Sequence, residues 1–237
     1  SLKVRQKFKA KSLAGNIVFV DIEQESKELE RLLSEGRKVI LTCHALPEFL
    51  HTVPQEKLIR NLELASYVHF VSEAQRNEHL ISYPELNLES KSFFIPNYTR
   101  QSLKQRSTGN IGVVGYLSRP DKNAREAISL ASKSNTRIIE CWGSEEIYGI
   151  DKPSDHPKIK LNGWSNSVNE MYDSFDVLIS TSKYETFGLV VAEALSAGIP
   201  CILADIPTFR SLYSDCEGVI LLTGDHEQDI ENIRDLL

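Results

Sequence analysis

The chain has 237 residues, of which 41% are hydrophobic and 25% charged, a composition typical of an ordinary soluble globular protein with one large domain or two small ones. Its net charge of −6 disfavours non-specific binding to nucleic acid, and no apolar run approaches the roughly 20 residues of a membrane span. The four cysteines lack the spacing of a metal or redox pair, which favours a reduced, cytoplasmic setting; they are Cys43, Cys141, Cys201 and Cys216.

The first residues are locally basic, with cations at Lys3, Arg5, Lys7, Lys9 and Lys11. One interpretation is peripheral contact with an anionic membrane surface. The other is a solvated end or an edge strand, where lysine is common. The second is favoured because no apolar face accompanies the charges.

Short apolar runs then alternate with helical patterns along almost the whole chain. Strands are predicted at 16–21, 38–43, 67–71, 92–95, 110–115, 137–142, 158–161, 176–180, 201–204 and 218–222. Helices are predicted at 23–36, 53–66, 72–82, 123–134, 167–174, 188–197 and 227–237. Such alternation predicts an α/β fold, with parallel sheets and helices on both faces.

The polar, basic stretch 97–110 interrupts this rhythm and has no strong period. We interpret it as a linker between two α/β units, an N-terminal unit over 1–98 and a C-terminal unit over 99–237. In open sheets of this kind, ligands bind beyond the carboxyl ends of the strands. The residues that directly follow strands are therefore the candidate site.

Two such loops lie in the C-terminal unit. In the first, Gly115 permits close backbone approach to a ligand, and Arg119 and Lys122 are suited to neutralise a diphosphate. An ordinary exposed loop with two cations is the alternative for this segment. In the second, a strand leads through a polar loop to Gly188 and a helix, whose free N–H groups and dipole form an anion site.

Two carboxylates, Glu185 and Glu193, flank this anion site eight residues apart. They admit three interpretations: solvated helix charges, a glycosidase pair about 5–9.5 Å apart, or groups that bind the ribose and sugar hydroxyls of a nucleotide sugar. The third is favoured. A phosphate site has no role in simple glycoside hydrolysis, and Glu193 lies among apolar residues where an unpaired charge is costly.

The remaining residues and motifs do not by themselves indicate a functional site. A lone histidine such as His44, at the end of an apolar strand, is more often a strand-end or core residue than a functional one. The histidines show no metal-ligand spacing, and G-x-S-x-G, G-x-G-x-x-G and P-loop motifs are absent. We therefore predict no metal and no cofactor.

The ordered set of motifs from residue 38 onward resembles the retaining glycosyltransferases of the two-lobed B-type fold, family 4 in particular. The most specific segment is Glu185-x7-Glu193 with Phe187-Gly188-Leu189 inside it and Gly198-Ile199-Pro200 after it. The weaker members of the set, in order, are His44, Ser72-Glu73, Phe94-Ile-Pro-Asn97, Val114-Gly115, Lys122, Trp142-Gly143, Gly163-Trp164 and Phe175-Asp176.

The resemblance implies two Rossmann-like units facing a cleft, with the N-terminal unit reduced. It implies transfer of a sugar from a UDP- or GDP-linked donor to a glycan, lipid or protein acceptor, with retention and without a metal, as in polysaccharide biosynthesis. The implied catalytic residues are Glu185, facing the donor sugar, His44, approaching it, and Lys122, neutralising the diphosphate. The implied donor-binding residues are Gly115, Arg119, Lys122, Thr186, Phe187, Gly188, Leu189 and Glu193, the last on the ribose.

The sequence departs from this family in three places. Tyr116 stands where the family usually has arginine, with Arg119 as the candidate replacement. The glycine-rich loop of the acceptor side is not found before residue 16, and the helices that cross back to the first lobe are not found after Leu237. These departures keep two alternatives open: a non-catalytic nucleotide-sugar-binding or regulatory subunit, with a protein partner completing the acceptor side, and another B-type enzyme such as an epimerase or phosphorylase.

Overall fold

The computed structural model describes residues 16–99 and 107–237, apart from the side chains of residues 51 and 52. The chain divides into two compact units, and the main boundary along the sequence falls between Ile95 and Pro96. Ser72–Ala74 is grouped with the second unit. The ranges 1–98 and 99–237 stay a prediction of the domain limits. The basic start and half of the predicted linker lie outside the described residues. Within the described part, every helix is too short or too polar to cross a bilayer.

In its described residues, the first unit is a parallel sheet of four strands with three α-helices. In chain order its elements are β1 (Ile17–Asp21), α1 (Ser26–Ser34), β2 (Lys38–Cys43), α2 (Gln55–Leu64), β3 (Tyr67–Phe70), α3 (Glu73–Ser82) and β4 (Ser92–Phe94). Short 3-10 turns lie at Pro47–Thr52, Pro84–Leu86 and Leu88–Ser90. The strands pair in the order β1-β2-β3-β4, so each connection steps one strand further across the sheet.

The core of the first unit lies on one face of this sheet. Val18 pairs in register with Val39, and Leu41 pairs in register with Val68. All four pack with α1 and α2 in one buried cluster. Side chains alternate between faces along a strand, and the opposite face carries Phe19, 64% exposed, and Tyr67, 41% exposed. The prediction of helices on both faces is therefore wrong for the described part of this unit, because an apolar run does not reveal which of its two faces is covered.

The second unit is a parallel sheet of six strands with five α-helices. Its elements are β5 (Ile111–Gly115), α4 (Ala124–Lys133), β6 (Ile139–Gly143), β7 (Ile159–Gly163), α5 (Val168–Asp173), β8 (Val177–Ser180), α6 (Leu189–Ser196), β9 (Cys201–Leu203), α7 (Pro207–Tyr213), β10 (Val219–Leu221) and α8 (His226–Asp235). Turns of 3-10 helix lie at Pro120–Lys122 and Pro153–Asp155.

The strand order of this sheet is β10-β9-β8-β5-β6-β7. The chain runs outward from β5 to one edge and returns to β8 for the other, which creates a topological switch point between β5 and β8. Both faces are covered here: Val177 and Ile179 of β8 join the cluster with α4 and α8, whereas Leu178 joins the cluster with α6 and α7. The predicted α/β class is confirmed, and all ten predicted strands are present within one or two residues at each end.

Candidate functional site

The predicted residues of the second unit gather at the carboxyl ends of β5 and β8, on either side of the switch point. The ends of β5 and β6 also approach each other closely. A Cβ on Gly143 would lie 2.0 Å from the carbonyl oxygen of Gly115, and both glycines have positive φ angles, +113° and +134°. Only glycine fits that approach. Because neither glycine has a side chain, the backbone at this carboxyl end of the sheet is accessible to a ligand.

Lys122 and Glu185 come together as an ion pair across this edge. The Nζ atom of Lys122, from the turn after β5, lies 2.5 Å from Oε1 of Glu185, from the loop after β8. The Ser182 hydroxyl donates to the same oxygen at 3.0 Å. The two charged side chains are only 21% and 17% exposed, so this is a partly desolvated pair and not a surface contact.

Backbone contacts hold the two loops against each other. The amide of Lys183 donates to the carbonyl of Asp121 at 2.8 Å, and the hydroxyl of Thr208 donates to the carbonyl of Glu185 at 2.6 Å. The loop that carries Glu185 is thus fixed both to the β5 turn and to α7. The position of the carboxylate does not depend on the ion pair alone.

Gly188 is the N-cap residue of α6, with φ +82°. A Cβ at this position would lie 2.7 Å from the Phe209 ring, so glycine is required for both its backbone angle and its packing. The first amides of the helix, at Leu189 and Val190, have no carbonyl one turn before them within the helix. These amides lie at the N-terminus of α6, which directly follows the segment of Glu185, Thr186 and Phe187.

Glu193 lies within α6 and is paired with a phenol. The Tyr172 hydroxyl donates to Oε2 of Glu193 at 2.8 Å. Burial, and then the neighbouring carboxylate, raise the pKa of Tyr172, which keeps the phenol protonated as a donor. A half-buried carboxylate among apolar neighbours therefore has the partner that its surroundings require.

Known proteins share this fold. Residues 152–237 match the family "Glycosyl transferases group 1". A GDP-mannose-dependent alpha-mannosyltransferase of Mycobacterium tuberculosis (strain CDC 1551 / Oshkosh) is 29% identical over 143 residues, which cover 56% of this chain and 36% of that protein. The crystal structure of TarM superposes with a TM-score of 0.71 at 18% identity, over 93% of this chain and 47% of that one.

A third relative is Alr3699/HepE of Anabaena, solved with UDP and glucose. It superposes with a TM-score of 0.67 at 17% identity, over 93% of this chain and 67% of that chain. The fold is that of the B-type glycosyltransferases. The chain spans about a third of the curated mannosyltransferase and about half of TarM.

Within this B-type fold, two residues of the β5 loop have defined contacts, and the donor-binding role of Arg119 stays a prediction. The guanidinium of Arg119 makes a two-pronged ion pair with its neighbour Asp121, at 2.9 and 2.6 Å. Tyr116, 57% exposed, packs its ring 4.7 Å from the ring of Trp164, 61% exposed, at an angle of 60°. The exposed aromatic pair therefore links the carboxyl ends of β5 and β7, and Lys122 is the cation that the structure places on a candidate site carboxylate.

His44 belongs to the first unit, and the other predicted site residues belong to the second. It directly follows β2, and its side chain is exposed. Phe187 is buried with its carbonyl accepting from the Tyr213 hydroxyl at 2.9 Å, Thr186 is half-buried, and Leu189 is exposed. The described residues contain no group of three His, Cys, Asp or Glu that is suited to hold a metal ion.

The residues that hold the site in place were missed by the sequence analysis. Ser182, Tyr172 and Asp121 each fix a candidate side chain. Tyr172 lies 21 residues before Glu193, a separation that no local pattern connects. Asp121, two residues after Arg119, was the one visible signal, since a neighbouring carboxylate is a natural partner for arginine.

Proposed function

We propose that the chain binds a nucleotide-diphosphate sugar in its second unit and takes part in transfer of the sugar to a glycan, lipid or protein acceptor, with retention and without a metal ion. The observation that carries the proposal is the partly buried Lys122–Glu185 pair, set three residues before the glycine that opens α6. At the carboxyl end of this sheet, a cation and a helix start suit the diphosphate of such a donor, and a carboxylate suits the hydroxyls of its sugar.

Each charge has a distinct partner in the donor. The ammonium of Lys122 and the first amides of α6 hold the diphosphate. The carboxylate of Glu185, released from the lysine, accepts from hydroxyls of the sugar. Glu193, oriented by the Tyr172 hydroxyl, accepts from the ribose. The ion pair neutralises both groups until the donor supplies a better partner for each.

The same groups assist the chemistry. In transfer, the bond between the anomeric carbon and the diphosphate oxygen breaks, a bond to the acceptor oxygen forms, and the acceptor's proton passes to the departing diphosphate. Negative charge then grows on the leaving diphosphate, where Lys122 and the helix dipole stabilise it in the place of a divalent metal. By the resemblance to the family, we propose His44 as a further catalytic residue.

The relatives support a donor of this kind and leave its base open. One is named for GDP-mannose, and another was solved with UDP and glucose. Both donors carry the diphosphate and the ribose to which the candidate residues are suited. We therefore propose a UDP- or GDP-linked sugar.

A second candidate is a donor-binding subunit without turnover of its own. It is favoured by the β5 loop, where Tyr116 supplies no charge and Arg119 is engaged by Asp121. Such a protein would bind the same donor, and only a transfer assay separates the two candidates. Turnover by the chain, measured with radiolabelled UDP-glucose and GDP-mannose and a panel of acceptors, would exclude this second candidate.

Donor binding itself is tested by calorimetry with UDP, GDP and their sugars. We expect Lys122→Met to raise the Kd about 10- to 150-fold, because a charge-assisted hydrogen bond contributes about 1.5–3 kcal/mol. Lys133→Met, the same change at the exposed end of α4, is the matched control and should leave Kd unchanged. A parent protein that binds none of the four ligands, or equal affinities for the parent and Lys122→Met, would contradict the proposal.

A further inference from the structure

The turn that presents His44 is held by a buried amide side chain on α3. We propose that Gln75 is a positioning residue for His44, fixing the direction in which its imidazole leaves the sheet. This inference rests on the proposed function for the role of His44. It concerns a residue that no sequence motif singled out.

The hydrogen bonds of Gln75 surround the histidine on both sides. Its Nε2 donates to the carbonyl of Cys43 at 3.1 Å and to the carbonyl of Ala45 at 2.9 Å, the residues before and after His44. Its Oε1 accepts from the amide of Val71 at 2.9 Å. One carboxamide thus uses both N–H donors on the His44 turn and ties that turn to the end of β3.

Cys43 and His79 complete this buried cluster. The imidazole Nδ1 of His79 donates to the carbonyl of Gln75 at 2.9 Å, and its Nε2 lies 3.4 Å from the sulfur of Cys43. Gln75, His79 and Cys43 are all fully buried, whereas the side chain of His44 is exposed. The turn is therefore fixed from inside while its one exposed imidazole is left available to a ligand.

Purely structural packing is the competing explanation, and the chain contains a control for it. Asn61 is also fully buried and also clamps a strand-end turn: its Nδ2 donates to the carbonyls of Ile22 at 3.0 Å and Gln24 at 2.8 Å. Its Oδ1 accepts from the Ser26 hydroxyl at 2.7 Å. That turn follows β1 and carries none of the candidate site residues, so Asn61 provides the same kind of backbone clamp away from the site.

The experiment compares Gln75→Met with Asn61→Leu in the full chain. Both variants remove a buried amide clamp, and both should lower the free energy of unfolding. Displacement of a positioned group by about 1 Å slows an enzyme by up to roughly 100-fold. We therefore expect Gln75→Met to reduce kcat by about 10- to 100-fold with the donor KM within threefold, whereas Asn61→Leu should leave kcat within about twofold.

A double variant separates positioning from general damage. If Gln75 acts through His44, Gln75→Met should have no further effect on kcat in a His44→Ala background. An equal reduction in both backgrounds, or a loss of kcat in Asn61→Leu as large as in Gln75→Met, would overturn the proposal. Gln75→Glu serves if Gln75→Met does not fold, since it keeps the acceptor for Val71 and loses the two donors.

A spectroscopic readout is independent of turnover. In protein labelled with ¹³C and ¹⁵N at histidine, the His44 signals are assigned by their disappearance in His44→Ala. They should shift or split in Gln75→Met and remain unchanged in Asn61→Leu. Unchanged His44 signals in Gln75→Met would refute positioning, whereas absent transfer by the parent would count against the proposed function alone.

Discussion

At the scale of single residues, the two candidate carboxylates differ in the partners that hold them. Glu185 is paired with a cation, Lys122, and Glu193 with a neutral phenol, Tyr172. A carboxylate paired with an ammonium is suited to exchange its partner when an anionic ligand arrives. A carboxylate fixed by a buried phenol is suited to a constant binding contact. The geometry therefore supports different roles for two side chains of the same type.

This difference predicts different losses on substitution. Glu185→Gln removes the charge that we propose faces the donor sugar, and we expect transfer to fall by about 100-fold or more with the Kd for UDP or GDP within about threefold. Glu193→Ala removes the proposed ribose contact, and we expect the nucleotide Kd to rise about tenfold with a smaller change in kcat.

Glu170→Gln, at an exposed position of α5 in the same unit, is the matched control for both changes. Steady-state kinetics on the three variants measures the change in transfer, and calorimetry measures the change in nucleotide Kd. The assignment is wrong if Glu185→Gln weakens nucleotide binding more than it slows transfer.

The sequence predicted where these residues lie but not what they contact. Glu185 and Lys122 each follow a predicted strand, and strand ends of a parallel sheet share one edge. Partners such as Tyr172 and Ser182 depend on how separate segments pack, which no pattern in the chain encodes locally. The ion pair of Arg119 with Asp121 is likewise a contact that the sequence analysis did not include, and the role of Arg119 as a diphosphate ligand stays a prediction.

At the scale of elements, the close approach of β5 and β6 gives a sharp prediction. Gly143→Ala would place a Cβ 2.0 Å from the Gly115 carbonyl oxygen, and backbone cannot move aside cheaply. We expect the free energy of unfolding to fall by more than about 4 kcal/mol, the range of exceptional substitutions. Urea unfolding followed by circular dichroism measures this change.

Gly198→Ala is the control for that experiment. Gly198 also has a positive φ, +76°, but a Cβ there meets nothing within 4 Å. Only backbone strain remains, so we expect a loss of about 1–2 kcal/mol. Equal losses in the two variants would show that the contact between Gly143 and Gly115 is not the limiting constraint.

Most of the helices and strands could be predicted from hydrophobic periodicity. The central strand β8 and its neighbour β9 are apolar runs, as expected for strands that are buried on both faces. The helix Pro207–Tyr213 was missed because it spans only seven residues, although proline at its first position was a visible start signal. The sequence could not predict that only one face of the first sheet is covered, because the exposed Phe19 and Tyr67 belong to runs as apolar as those of buried strands.

At the scale of the whole molecule, the two units have separate hydrophobic cores and different chemistry inside them. The first core contains the neutral pair of Cys43 and His79. Both tryptophans of the chain, Trp142 and Trp164, belong to the second unit. Tryptophan fluorescence therefore reports on the second unit, whereas far-ultraviolet circular dichroism reports on both.

This arrangement predicts that acid destabilises the first unit through His79. Burial lowers the pKa of His79 from 6.5 to about 4, so the folded state keeps it neutral where the unfolded state binds a proton. Its contribution is fully present above pH 6.5 and is lost as the pH falls toward 4, a loss of about 3 kcal/mol. Of the groups that face the imidazole, the Cys43 thiol has its pKa raised to about 12 by burial, and burial also raises the pKa of the Tyr83 phenol. Neither titrates in this range.

The measurement is urea unfolding between pH 7 and pH 4.5, with His79→Gln as the variant that cannot titrate. In the parent, the stability reported by circular dichroism should fall with pH more steeply than that reported by tryptophan fluorescence. In His79→Gln, the dichroism slope should flatten toward the fluorescence slope, since other groups that bind protons in this range are common to both proteins. A variant with the parent's slope would show that the buried imidazole is not the acid-sensitive element of the first unit.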